Sequence, residues 1–148
     1  MFKFVSILTV SLMFAPLNGF AATGTASFAG TITSTCILTS GTPGVIAPNA
    51  DYTGLSSTNA GGSVSTVTAL STGAAFKVST DAPTGVTADT LTSSYSLSGS
   101  TTSGSVSGST LTTLNPGSTA VAVNMSAVKT SGHFAAGAYT GLVTVRCE

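Results

Sequence analysis

The sequence predicts an all-β fold, a sandwich or a barrel, and two observations carry this prediction. Short apolar runs alternate with Ser and Thr along most of the chain, which is the period-two pattern of strands with one buried face. Clusters of Gly, Pro and Asn separate these runs at short intervals, as in all-β domains. After residue 22 no stretch has the composition of a helix, because β-branched residues prevail and Gly or Pro interrupts the Ala-containing segments.

The first 21 residues have the organisation of a secretory signal peptide. Lys3 gives the positive start, residues 4–14 are largely apolar, and Gly19 and Ala21 are the small residues before the cleavage point. The apolar run is shorter than the roughly 20 residues that a membrane span needs. We therefore expect cleavage after Ala21, with Ala22 as the alternative, and an exported chain that does not span a membrane.

The strands are justified in order along the chain by their alternation. The first, residues 25–38, places Phe28, Ile32 and Cys36 on one face. Further strands are predicted at 63–70, 74–79, 86–91, around Tyr95 and Val106, and at 118–127. The last, residues 138–147, has a face formed by Tyr139, Gly141, Val143, Val145 and Cys147.

Residues 92–113 are almost entirely Ser, Thr and Gly, and three interpretations fit this composition. A flexible linker and an O-glycosylated stalk are possible for such a segment. We favour a pair of polar-faced strands with a long connection, because Tyr95, Leu97 and Val106 keep a thin apolar face.

Cys36 and Cys147 form an even pair in an exported chain, and a disulfide between them is expected. Each cysteine lies on the apolar face of its own predicted strand, so the bridge would join the first strand to the last, which suits a sandwich. With His133 the two cysteines supply three ligands at most, and the spacing of a zinc site is absent. No metal or cofactor is expected.

The scarcity of charge excludes several classes of function. Only 5% of the 148 residues are charged and the formal net charge is zero. Nucleic-acid binding is not expected, because it requires clustered Lys and Arg to displace phosphate counterions. An enzyme is not expected either, since the single histidine, His133, lies in a turn-like segment and no GxSxG elbow is present. A small secreted hydrolase is kept only as a remote alternative for the function.

The two ends of the mature chain resemble those of chaperone–usher pilins. Residues 24–36, GTASFAGTITSTC, are similar to the pilin start, an alternating extension followed by a glycine and a first strand that ends in cysteine. Residues 136–145, AGAYTGLVTV, look like the G-x-Y-x-G-x-V-x-V last strand of that broad group, which includes the spore-coat-U-like and related fimbrial subunits.

The resemblance implies an immunoglobulin-like β-sandwich that lacks its final strand and is completed by a donor strand from a neighbour. The chain would then consist of a signal peptide (1–21), an N-terminal donor extension (22–29) and a pilin-like domain (30–148). In the extension, Gly24, Ala26 and Phe28 would face into the neighbouring groove. The strands that flank this groove would carry Ile32, Tyr139, Val143 and Val145.

The resemblance also implies partners and a location. The partners would be neighbouring copies or related pilins, a periplasmic chaperone and an outer-membrane usher, and the protein would pass through the periplasm to a surface fimbria that supports adhesion. Two features depart from the pilin pattern: Cys147 replaces the usual penultimate aromatic, and the partner of Cys36 is expected at the end of the chain rather than in the second strand. The alternative is a self-complete secreted immunoglobulin-like domain, an adhesin or a surface-coat protein.

Overall fold

A computed structural model describes residues 23–148, and no helix occurs among them. The chain divides into two units, Met1–Gly30 and Thr31–Glu148. The predicted signal peptide lies outside the described residues. Residues 23–30 of the first unit form no strand and have exposed side chains. The all-β prediction is confirmed for the described part of the chain.

Ten strands occur among the described residues, and every pairing between them is antiparallel. They are β1 (Cys36–Ser40), β2 (Ala47–Pro48), β3 (Gly54–Ser56), β4 (Ser65–Ser71), β5 (Lys77–Thr80), β6 (Thr90–Gly99), β7 (Ser103–Ser107), β8 (Thr112–Thr113), β9 (Gly117–Val128) and β10 (Val145–Cys147).

The larger sheet is built around β9, the longest strand. β6 pairs with β9 along one side, and β4 and β3 pair with successive parts of its other side. β1 continues the sheet beyond β4, β2 continues it beyond β3, and β7 continues it beyond β6. The smaller sheet has the order β10-β5-β8. β1 and β10 are therefore edge strands, one in each sheet.

The main core lies between the two sheets, as in a sandwich. Tyr95 and Val121 of the larger sheet are completely buried, and so is Val78 of the smaller sheet, which belongs to the same cluster. The alternation along β9 explains this arrangement, because its odd-numbered residues from Thr119 to Ala127 are buried and its even-numbered residues face outward.

The hydroxyl of Tyr95 links the two sheets through hydrogen bonds. It lies 3.0 Å from the carbonyl oxygen of Val78 in β5 and 2.6 Å from that of Thr110. Thr112 Oγ1 in β8 is 2.7 Å away. A buried phenol is favourable only when its hydroxyl has such partners, so these contacts fix β6 against the smaller sheet.

Several predicted strands agree with the structure and the first one does not. The polar-faced pair proposed for residues 92–113 is present as β6 and β7. The first strand was predicted over 25–38, but β1 begins at Cys36 and residues 23–35 are exposed. The alternation of this segment shows that it can bury one face against a partner strand, and the chain itself supplies no such partner among the described residues. The strand predicted at 86–91 begins instead at Thr90, and of the last strand predicted at 138–147 only Val145–Cys147 is formed.

We predict that Tyr95→Phe lowers the free energy of unfolding by about 1–3 kcal/mol, because it removes the buried hydroxyl that hydrogen-bonds across to the smaller sheet. Tyr139→Phe is the matched control: its hydroxyl donates to the Ala135 carbonyl in an exposed position, and its removal should cost less than about 0.5 kcal/mol. Urea denaturation of the two variants measures the difference. Equal effects would contradict the role given to Tyr95.

Candidate functional site

A groove of about 390 Å³ opens on the side of the sandwich where the edge strands β1 and β10 lie. Residues 43–46, which follow β1, form one wall, and residues 140–143 together with Val145 form the other. The floor includes Val67 of β4 and Val123 and Met125 of β9. No charged side chain lines the groove.

The wall that leads into β10 is an open strand edge. Leu142 exchanges both backbone hydrogen bonds with Thr84, each at 2.9 Å, and the Asp81 N–H donates to the Thr144 carbonyl at 2.9 Å. Backbone groups of successive residues in a strand point in opposite directions. The N–H and C=O groups of Val143 and Val145 therefore point away from β5, towards the side on which no described strand pairs with them.

The opposite wall, residues 43–46, also has backbone groups that face the groove. Val45 exchanges backbone hydrogen bonds of 3.0 and 2.8 Å with Ser63, which turns the backbone groups of its neighbours Gly44 and Ile46 to the other side. The groove thus combines an apolar floor with free backbone donors and acceptors on both walls. This combination fits an additional extended segment, which could hydrogen-bond along a wall while its side chains cover the floor.

The disulfide Cys36–Cys147 is present, as predicted from the cysteine count, and Cys147 lies two residues beyond Val145, the last residue of the groove wall. Its Cα atoms are 6.3 Å apart, and it joins the two edge strands β1 and β10. The groove beyond it, from Val145 towards Ile46, remains open. The bridge therefore holds together the two edge strands that adjoin the groove, and neither cysteine occupies the groove itself.

A second cavity of about 520 Å³, here called the aromatic cavity, shares the lining residue Ile46 with the groove. Phe134 and Tyr139 meet edge to face in its lining, with ring centroids 5.4 Å apart. The other lining residues are Pro48, Tyr52, Leu55, Ala135, Ala136 and Gly137. Like the groove, this cavity is lined by uncharged residues, so both spaces suit an apolar occupant.

The wall that ends in β10 carries one ion pair. Arg146 forms a bidentate ion pair with Asp81, with nitrogen–oxygen distances of 2.6 and 2.7 Å. The hydrogen bonds from the guanidinium lower the pKa of Asp81 below its usual value, and the same contact raises the pKa of Arg146. The pair links β10 to the segment after β5 and lies on the face opposite to the groove.

The structure brings together three of the predicted groove residues and separates the fourth. Tyr139 lines the aromatic cavity, and Val143 and Val145 line the groove, in the alternating phase expected for the last strand. Ile32 is 83% exposed and lies outside the lining of both spaces. Val45 and Ile46 form the wall that had been assigned to the strand of Ile32.

The predicted donor residues lie in the exposed unit. Gly24 and Ala26 are exposed, and the Phe28 side chain is 95% exposed. Sequence reasoning missed the Val45–Ile46 wall because turn signals flank it at residues 41–44 and 48–49. The apolar pair between these turns is the signal that could have indicated it.

Other chemistry is sparse in the part of the chain that the structure describes. No group of three or more His, Cys, Asp or Glu residues in 23–148 could hold a metal ion. The Nδ1 atom of His133 is 2.8 Å from the backbone carbonyl oxygen of Asp51, a contact that orients the ring on an exposed loop. Within the same range, no helix has the length and apolar character needed to cross a membrane.

Comparisons of the chain with protein-family models, with curated proteins and with solved structures find no match. The inference of function therefore rests on the groove, its two open walls and the exposed N-terminal residues.

We predict that the double variant Cys36→Ser/Cys147→Ser is less stable than the native chain by up to about 4–5 kcal/mol. The bridge spans 111 residues, and opening it restores the loop-closure entropy of the unfolded chain. Denaturant titration gives the stability difference, and mass spectrometry of alkylated, unreduced protein gives the thiol state. Two free thiols in exported protein would contradict the disulfide.

Proposed function

We propose that the protein is a structural subunit of a surface fimbria, assembled by strand addition between copies and supporting adhesion. In this proposal, the N-terminal extension (residues 22–29) of one copy occupies the groove of the next and completes an immunoglobulin-like sandwich. The observation that carries the proposal is the open, apolar groove in a chain whose own alternating extension is left exposed.

The extension and the groove are complementary in chemistry. Residues 22–35 contain no charged side chain, and neither does the lining of the groove. The alternating extension can place Gly24, Ala26 and Phe28 on one face while its backbone hydrogen-bonds to the wall of Val143 and Val145. Strand addition would thereby bury Phe28 and satisfy the free edge in one step.

Exposed strand edges are sites of uncontrolled pairing, and proteins ordinarily cover or blunt them. A subunit with this groove would need a cover between export and assembly. We propose that a periplasmic chaperone supplies that cover and that an outer-membrane usher is the place of exchange. The disulfide agrees with an oxidising, exported environment for these steps.

The Cys36–Cys147 bridge favours a second candidate, a self-complete secreted adhesin or coat domain. The bridge joins the two strands beside the groove, and such a tie could stabilise the sandwich without an added strand. This candidate requires a stable monomer that neither gains nor loses structure when the extension is removed.

We predict that the purified mature protein forms ladders that survive cold SDS and collapse to monomer on boiling. Phe28→Asp should abolish the ladders, because assembly would bury a carboxylate among apolar residues at a cost of several kcal/mol. Ser27→Asp is the matched control: the neighbouring residue has the opposite phase in the extended segment, so its charge would stay in solvent and ladders should persist.

Both substitutions lie on exposed residues of the first unit, so they should leave the fold of the second unit unchanged, which circular dichroism can check. A monomer at high concentration, unaffected by Phe28→Asp, would contradict the fimbrial proposal and favour the self-complete domain. Equal loss of ladders in the two variants would contradict the inward orientation of Phe28.

A further inference from the structure

We propose a register and a direction for the added strand, an inference that rests on the fimbrial function proposed above. The Phe28 side chain of one copy occupies the aromatic cavity of the next, against Tyr139 and Phe134. Ala26 then lies opposite Gly141 and Gly24 opposite Val143, with the donor strand antiparallel to the β10 wall.

The two ends of the groove set the direction. The disulfide lies beyond the Val145 end of the groove, where it joins the edge strands β1 and β10, and at the opposite end the groove and the aromatic cavity share Ile46. The donor's own body is tied at its disulfide end, where Thr72 Oγ1 donates to the Thr33 carbonyl at 2.8 Å and accepts from the Thr35 N–H at 2.7 Å. If the donor strand enters the groove past Ile46, the disulfide end of the donor copy lies against the aromatic-cavity end of the acceptor copy.

The same contact can repeat from one copy to the next in a constant direction. Each copy would offer its extension from the disulfide end and accept one at the aromatic cavity, a head-to-tail contact that continues into a filament rather than closing as a symmetric pair. The reverse direction would bring the disulfide ends of both copies to the same place. Such a contact would not continue in a straight line.

Side-chain size sets the register. Phe28 is the only aromatic residue in the segment 22–35, and the aromatic cavity is the larger of the two spaces. A third ring can meet the edge-to-face pair of Phe134 and Tyr139 with favourable aromatic geometry. The small residues Gly24 and Ala26 then lie where the strand backbone itself must pass between the walls.

An alternative register, in which the donor is shifted by four residues and Ile32 takes the place of Phe28, leaves too short a connection to the donor's own domain. Placing Ile32 in the aromatic cavity would put Phe28 opposite Val143, but it would leave no free residue between the cavity and Thr33, which is tied to Thr72. The proposed register leaves residues 29–32 as a connection of about 13 Å at the extended rise per residue. It also places Gly24 opposite Val143 of the acceptor, so that Gly24 does not reach the disulfide at Cys147.

Cysteine pairs test the register in the full mature chain. Three double variants, Phe28→Cys with Tyr139→Cys, with Val143→Cys or with Val145→Cys, are assembled, oxidised mildly and boiled in SDS without reductant. A disulfide forms only when the two Cβ atoms approach within about 4.5 Å. We expect a ladder that survives boiling for the Tyr139→Cys pair and a return to monomer for the Val145→Cys pair, with peptide mapping to identify the new bridge.

Phe28→Cys with Ile46→Cys serves as a second pair if Tyr139→Cys impairs folding, because Ile46 contributes to both spaces from the opposite wall. A ladder surviving boiling with Val143→Cys or Val145→Cys, and with neither Tyr139→Cys nor Ile46→Cys, would overturn the register. Cold ladders in every variant would then show that strand addition itself holds. Absence of cold ladders in the unsubstituted chain would overturn both the register and the fimbrial proposal.

Discussion

The free backbone edge at Val143 and Val145 is the constraint on which the rest of the structure depends. Leu142 and Thr144 hydrogen-bond to Thr84 and Asp81 in the segment that follows β5, which leaves the backbone groups of the alternate residues facing the groove. Below this edge lie Val67, Val123 and Met125, an apolar floor that an added strand would cover. An exposed edge of this kind is a ready template for pairing with another strand, which is the feature that the proposed strand addition uses.

The remainder of the fold holds that edge in place. The long strand β9 organises the larger sheet and supplies the floor, while the Tyr95 hydroxyl fixes β6 to the smaller sheet. The disulfide holds the two edge strands together at one end of the groove. Rigid support of this kind lowers the conformational entropy lost when an extended segment binds, because the walls need not be ordered at that moment.

The sequence predicts the features that depend on local pattern. Alternation predicts the inward phase of the last strand, and the even cysteine count in a chain expected to be exported predicts the bridge. Features that depend on pairing between distant segments cannot be predicted from the sequence alone. The extension from Thr25 alternates as a strand yet has no partner in its own chain among the described residues, and the wall of Val45 and Ile46 forms because Val45 pairs with Ser63.

Hydrogen exchange of individual backbone amides, before and after assembly, tests the central claim most directly. The account predicts that the Val143 and Val145 amides exchange rapidly in the monomer and become protected in the polymer, together with amides of residues 23–29. The amide of Val121, in the centre of β9, should be protected in both states. Protection of Val143 and Val145 already present in the monomer, or rapid exchange at these residues in the polymer, would contradict the account.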